Sequence, residues 1–278
     1  MKDSVVASRL VWLLAASLSL LCVVIASRYL IHKSSDLPQQ SASVELDTKL
    51  DTEASPVPIL TELDPEMFPS AWRGPPINTS AELISDQEKK RGVRQVRRAM
   101  AMYPANLLEK NLDRVYLVGE LRFDNISAGG TNSFDRIYQC VQSETIGFTN
   151  EYLRRAFHHE LSSIFLRNHG TRQLQTDWEN VNPDQFVYLG NGTQAVASGL
   201  ASEKYNPALA VDGFFSRYAM ASYEEDFNTI AAVLFCGDAK LWEAVERFPA
   251  IEKKVQLMMA FYERLDPKFT ESYFKNLR

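Results

Sequence analysis

Apolar positions are spread unevenly along the chain. An uncharged run from Leu10 to Ser27 lies between Arg9 and Arg28. About 18 residues at 1.5 Å each span roughly 27 Å, close to the ~30 Å of a hydrocarbon core. Residues 34–80 lose apolar periodicity and fill with Ser, Pro, Thr and acids, the composition of a flexible tether. From 81 to 278 the periodic patterns return and predict one folded domain. "SDQE" (85–88) is a capping-box pattern opening a helix to about Tyr103, where Pro104 stops it. Stretches rich in β-branched and aromatic residues at 114–123 and 134–142 predict two strands joined by the loop "SAGGTNS". Thr149 is placed to cap a helix over about 150–168, and Asn168-His169-Gly170 ends it, with Gly170 as a left-handed cap. "FVYLG" (186–190) predicts a short strand. Ser222 then starts the helix "YEEDFNTIAAVLF", followed by "AKLWEAVERF", "AIEKKVQLMMAFYERL" and "TESYFKNL". Helices dominate and the sheet is small and early, which is an α+β class.

The apolar N-terminal run is longer than the apolar region of a usual signal peptide, which is about 7–15 residues. Residues 1–33 therefore read as an uncleaved anchor, with cleavage after the small residues near Val24-Ile25-Ala26 as the alternative. In either case the rest of the chain is expected on the exported side, periplasmic or extracellular, since only a short tail with Lys2 and Arg9 precedes the run. It is membrane-held in the first case and secreted in the second. The chain has 278 residues, 45% hydrophobic and 23% charged, as a globular protein does. Its net charge of -5 gives no reason to expect nucleic acid, and "KKRGVRQVRR" (89–98) reads as a solvated helix face. Outside the anchor stand only Cys140 and Cys236, which an exported domain can pair or leave as buried thiols.

Candidate chemistry concentrates in "FHHELSSIF" (157–165). With Leu153 set at zero and ~100° per residue, Leu153, Phe157, Leu161, Ile164 and Phe165 fill an arc of about 120° facing the core. His159, Ser163, Ala156 and Glu160 share a second, small and polar face, while His158 and Ser162 lie at ~140–180° on the far border. That second face reads either as solvent-exposed or as a site. His159-Glu160 begins the zinc-protease pattern HExxH, but Ser163 stands where the second histidine belongs. His169 has the ten-residue offset of a third ligand in the longer form of that pattern, yet Leu166 occupies the position of its required glycine. Gly-rich phosphate loops, CxxC pairs and G-x-S-x-G elbows are missing from the sequence. A serine nucleophile built from His159 and Ser163 would lack an evident oxyanion hole.

Further on stands "GFFSRYAMASYEEDFNTIAAVLF" (213–235). With "IYQCV" and "FHHELSSIF", it resembles the zinc-binding metallopeptidases of the gluzincin group, including the lethal-factor-like branch, over roughly residues 85–240. In that family HExxH is followed by a segment Y-x(6)-E-x-F-A-E. The resemblance implies a zincin-like domain over 81–278, a Zn2+ cofactor, and a peptide or protein as substrate or partner. It makes His159 and Glu225 metal ligands, Glu160 the base that activates water, and Tyr218 the residue that stabilises the tetrahedral intermediate. Phe227 matches the motif's phenylalanine; Ser163, Asn228 and Thr229 depart from its second histidine, alanine and second glutamate. Simpler readings stand beside these. Ser222-Tyr223-Glu224-Glu225 is a capping box in which Glu225 bonds back to Ser222, and Tyr218 can be a packed aromatic near Phe214 and Phe215. Two functions follow: a membrane-tethered, exported peptidase with a zinc-activated water at an incomplete site, or an inactive binding module on the same scaffold.

Overall fold

Short sheets come early and helices late in the computed structural model, which describes residues 55–190, 199 and 201–277. In chain order the elements are β1 (Ile59–Leu60), β2 (Thr79–Glu82), α1 (Asp86–Met100), α2 (Ala105–Asn111), β3 (Arg114–Val118), β4 (Glu120–Phe123), β5 (Ile126–Ala128), β6 (Gly130–Asn132) and β7 (Arg136–Cys140). The helices α3 (Asn150–His169), α4 (Arg172–Glu179), α5 (Pro207–Ala210), α6 (Tyr223–Phe235), α7 (Ala239–Arg247), α8 (Pro249–Leu265) and α9 (Glu271–Lys275) complete it. The expected membrane run lies outside the described residues, and no helix within them is long and apolar enough to cross a membrane.

The strands form two sheets, β1-β3-β7-β6 and β2-β4-β5. In the first, β1 and β7 flank β3 in parallel, and β6 closes the edge antiparallel to β7 with Thr131 opposite Tyr138. Tyr116 and Tyr138 are opposed in register, and their rings stack at 5.5 Å and 4° on one face. Helix α3 crosses this sheet, anchored where Gln139 Nε2 donates to the Leu153 carbonyl at 2.8 Å.

The folded body begins before the expected boundary at 81. Val57, Met67, Phe68 and Trp72 are buried, β1 is laddered to β3, and Tyr138 Oη donates to the Met67 carbonyl at 2.6 Å. These apolar residues are too widely spaced to show a period, so the segment reads as tether although its side chains fill the sheet's open side. Residues 186–190 are extended but join no strand ladder. Their Leu189 and Gly190 amides donate to the carbonyls of Met220 and Ala221 instead. Ser85 sits at the N-cap of α1 without a side-chain bond, and Glu88, the other half of the expected box, pairs with Arg91 at 2.6 Å. Thr149 caps α3 by accepting from the Tyr152 amide at 3.1 Å. Gly170 ends the helix in extended backbone (φ -63°, ψ 146°), not left-handed. Glycine is needed there for another reason: a Cβ would sit 2.4 Å from the Leu166 carbonyl oxygen. Cys140 and Cys236 are both free thiols, and Cys140 Sγ donates to the Ala128 carbonyl.

Candidate metal centre

Helices α3 and α6 pack along each other, and the site lies in their seam. Every residue of α3 from Ala156 to Phe165, and every residue of α6 from Glu225 to Phe235, is buried. The polar face of α3 is therefore not a solvent face; α6 and β6 cover it. Its mixed character cost the sequence pattern its contrast, since a helix buried all round has no polar side to mark.

Ser222 caps α6 by accepting from the Glu225 amide at 3.1 Å. That is half of the expected capping box. The Glu225 carboxylate does not turn back to Ser222; its Oε2 lies 3.0 Å from His159 Nε2 across the seam. The Tyr218 ring, buried, lies 6.1 Å from the His159 ring. Glu160 points toward β6, where Oε2 accepts from Asn132 Nδ2 at 2.7 Å and Oε1 is buried without a partner. A Cβ at Gly130 would come within 3.2 Å of that Oε1, so the strand must be bare there. The structure thus brings His159, Glu160, Tyr218 and Glu225 to one place.

It sends the other histidines elsewhere. His158 Nδ1 meets Tyr103 Oη at 2.8 Å and its ring stacks on Phe235 at 5.2 Å, within the core rather than on a border. His169 Nε2 meets Asn111 Oδ1 at 2.8 Å at the far end of α3, so it does not replace the missing ligand. Ser163 Oγ donates to Glu224, and Arg167 reaches both. Thr229 Oγ1 turns back to the Glu225 carbonyl at 2.7 Å, and Asn228 is buried with both amide atoms unpartnered. Asn132, Arg167, Glu203 and Glu224 were not singled out in the sequence. Glu203 lines a small pocket with His159, Arg155 and Thr229, and its Oε1 has no partner. Only a three-dimensional neighbour relation marks these four.

Burial lowers the His159 imidazole, but the Glu225 hydrogen bond and the charges of Glu225, Glu160 and Glu203 outweigh it and bring it up to about 9. Burial pushes Glu160 up to about 8 against the pull of His159 and Asn132, with Glu225 and Glu224 adding to the rise. Stability linked to His159 is fully present below its ordinary 6.5 and is lost as pH rises through about 9. The cost of ionising Glu160 is absent below 4.5 and complete above about 8. Both slopes have one sign, so the melting temperature is expected to fall from pH 5 to pH 9. His159→Gln removes the first contribution, and its deficit against the wild type should shrink as pH rises through 9. A deficit constant across that range would contradict the ion pair.

A catalytic zinc takes three protein ligands and a water. His159 Nε2 and Glu225 Oε2 are two suitable donors spaced about as two ligands of one ion would be. The third is missing: Ser163 offers a neutral hydroxyl that is already engaged. Among the described residues no three His, Cys, Asp or Glu side chains converge as a ligand set. The donor set does not fit a resident catalytic zinc.

Residues 114–276 match the family model described as a putative zinc-binding metallo-peptidase. No curated protein matches the chain. Among solved structures, the crystal structure of a putative zinc-binding metallo-peptidase from Bacteroides caccae ATCC 43185 is similar, with a TM-score of 0.50 and 15% identity over 87% of this chain and 95% of that one. At that identity the likeness is one of fold.

Proposed function

The chain belongs to the putative zinc-binding metallo-peptidase family, and from that premise we propose that it is an exported, membrane-tethered binding module which keeps a gluzincin-like scaffold without a resident zinc or hydrolytic turnover. Its partner is a peptide or protein, the class that such a scaffold handles. One observation carries the reading: the position of the second histidine is Ser163, whose hydroxyl is spent on Glu224. His159 and Glu225 then satisfy each other, and their role is to join α3 to α6. The apolar run from Leu10 to Ser27 supports the tether.

A second reading, zinc-dependent peptide hydrolysis, is favoured by the convergence of His159 and Glu225 with Glu160 alongside. Metal analysis of the purified full chain, together with hydrolysis of a mixed peptide library, separates the two. Zinc well below one ion per chain, with cleavage no faster than in Glu160→Gln, is the expected result. Stoichiometric zinc, and cleavage that Glu160→Gln abolishes while the metal stays, would establish the second reading and overturn the first.

A further inference from the structure

Arg167 stands one turn after Ser163 on the same face of α3. Both terminal nitrogens of its guanidinium are engaged. Nη1 donates to the Ser133 carbonyl at 2.9 Å and Nη2 to Asn132 Oδ1 at 2.6 Å. Nη2 also lies 3.4 Å from Ser163 Oγ and 3.9 Å from Glu224 Oε1. Asn132 passes the connection on, giving its amide to Glu160. One fixed cation thereby ties β6, α3 and the first turn of α6 together around the place that a second ligand would enter.

We propose that Arg167 is a built-in substitute for the family's metal ion: it holds the seam closed with its own charge and excludes zinc independently of Ser163. The inference rests on the reading above, that the chain carries no resident zinc. A guanidinium stays protonated at any pH a protein meets, so its charge cannot be titrated away to admit a divalent ion. Nor can it swing aside freely, because the Ser133 carbonyl and Asn132 would lose their donor in a buried place. An imidazole at 163 would project along the face that Arg167 covers, and an ion on its far nitrogen would meet a positive charge at close range in a partly buried site. Ser163 and Arg167 also claim Glu224, while Asp226, the other further carboxylate on that turn, is held by Lys254. On this account the lost histidine is one of two blocks, and restoring it alone does not restore the metal.

The test is zinc binding by the full chain, read by metal content after dialysis against buffered zinc and by melting temperature with zinc or chelator. Wild type and Ser163→His are expected to stay without stoichiometric zinc and to melt at temperatures that zinc does not change. Ser163→His/Arg167→Gln is expected to bind at least about a hundredfold tighter than Ser163→His and to melt higher with zinc. Ser163→His/Arg167→Lys, which keeps the charge, should remain indifferent to zinc. Tight stoichiometric zinc in Ser163→His with Arg167 in place overturns this inference and leaves the binding-module reading standing. Stoichiometric zinc in the wild type overturns that reading itself. A double variant that folds, judged by its helical circular dichroism, yet ignores zinc also refutes the role of Arg167. If glutamine at 167 prevents folding, methionine keeps the packing of the stem and takes its place in the same comparison.

Discussion

Lys254→Met is expected to lower the unfolding free energy by about 3–5 kcal/mol, the usual cost of leaving a buried charge without its partner. Lys254 Nζ lies 2.6 Å from Asp226 Oδ2, and neither side chain has any exposed surface. The same Oδ2 accepts from Trp178 Nε1 and from Tyr188 Oη, both at 2.9 Å. The ammonium also rests 4.2 Å above the Phe214 ring. Four parts of the chain therefore meet at one carboxylate: α4, the 186–190 segment, the start of α6, and α8. Methionine matches the lysine stem in length but leaves Asp226 with two neutral donors in a dry place. Burial already raises the Asp226 carboxyl, with Lys254, Trp178 and Tyr188 opposing the rise. Adding Asp226→Asn should recover most of the loss, because the amide oxygen still accepts from Trp178 and Tyr188 while no charge remains. Urea denaturation of the two variants measures both values. A single variant as stable as the wild type would show that the pair is not buried as described.

Phe235→Ala is expected to cost a similar amount, about 3–5 kcal/mol, through the cavity it opens. Phe235 ends α6 and stacks on Tyr103 at 4.7 Å and on His158 at 5.2 Å. Its faces and edges also meet Tyr262, Phe269 and Phe274. Rings brought by α2's approach, α3, α8 and α9 close around it, so collapse after truncation would require several elements to move together. For a domain of this size, each kcal/mol shifts the melting temperature by about 2–4 °C, which places the expected drop at roughly 6–20 °C. A drop of only a degree or two would mean that the cluster is loosely packed.

How much of this was legible beforehand depends on what kind of neighbour each residue has. The meeting of His159 with Glu225 at 3.0 Å was readable only through the family resemblance, since helical geometry groups His159 with Glu160 and Ser163 and says nothing of a residue 66 positions on. Thr149 and Ser222 were readable as caps, since capping is settled within three residues of sequence. The burial of the His159 face was not, for a polar stripe reads the same against water and against a second polar helix. Lys254 shows why: in "AIEKKVQLMM" it is indistinguishable from Lys253, and only the carboxylate 28 residues earlier singles it out. Arg167 likewise reads as an ordinary cation in the last turn of a helix, which favours that end's dipole in any case. Its partners Asn132 and Ser133 are the last residue of β6 and the one after it, in a stretch that the sequence presents as loop. Residues 55–80 were misread because isolated anchors such as Trp72 and Val57 carry no period.

The entry of the chain through β1 has a mechanical corollary. Ile59 and Leu60 pair with Val115 and Tyr116 in the same direction, at the outer margin of the four-stranded sheet. Any pull arriving from upstream residues is therefore loaded onto a two-residue seam before it reaches α3 or α6. That seam is the part of the body most readily peeled away, so tension on the N-terminal side would strip the margin first and leave the helical pair around His159 and Glu225 unstressed.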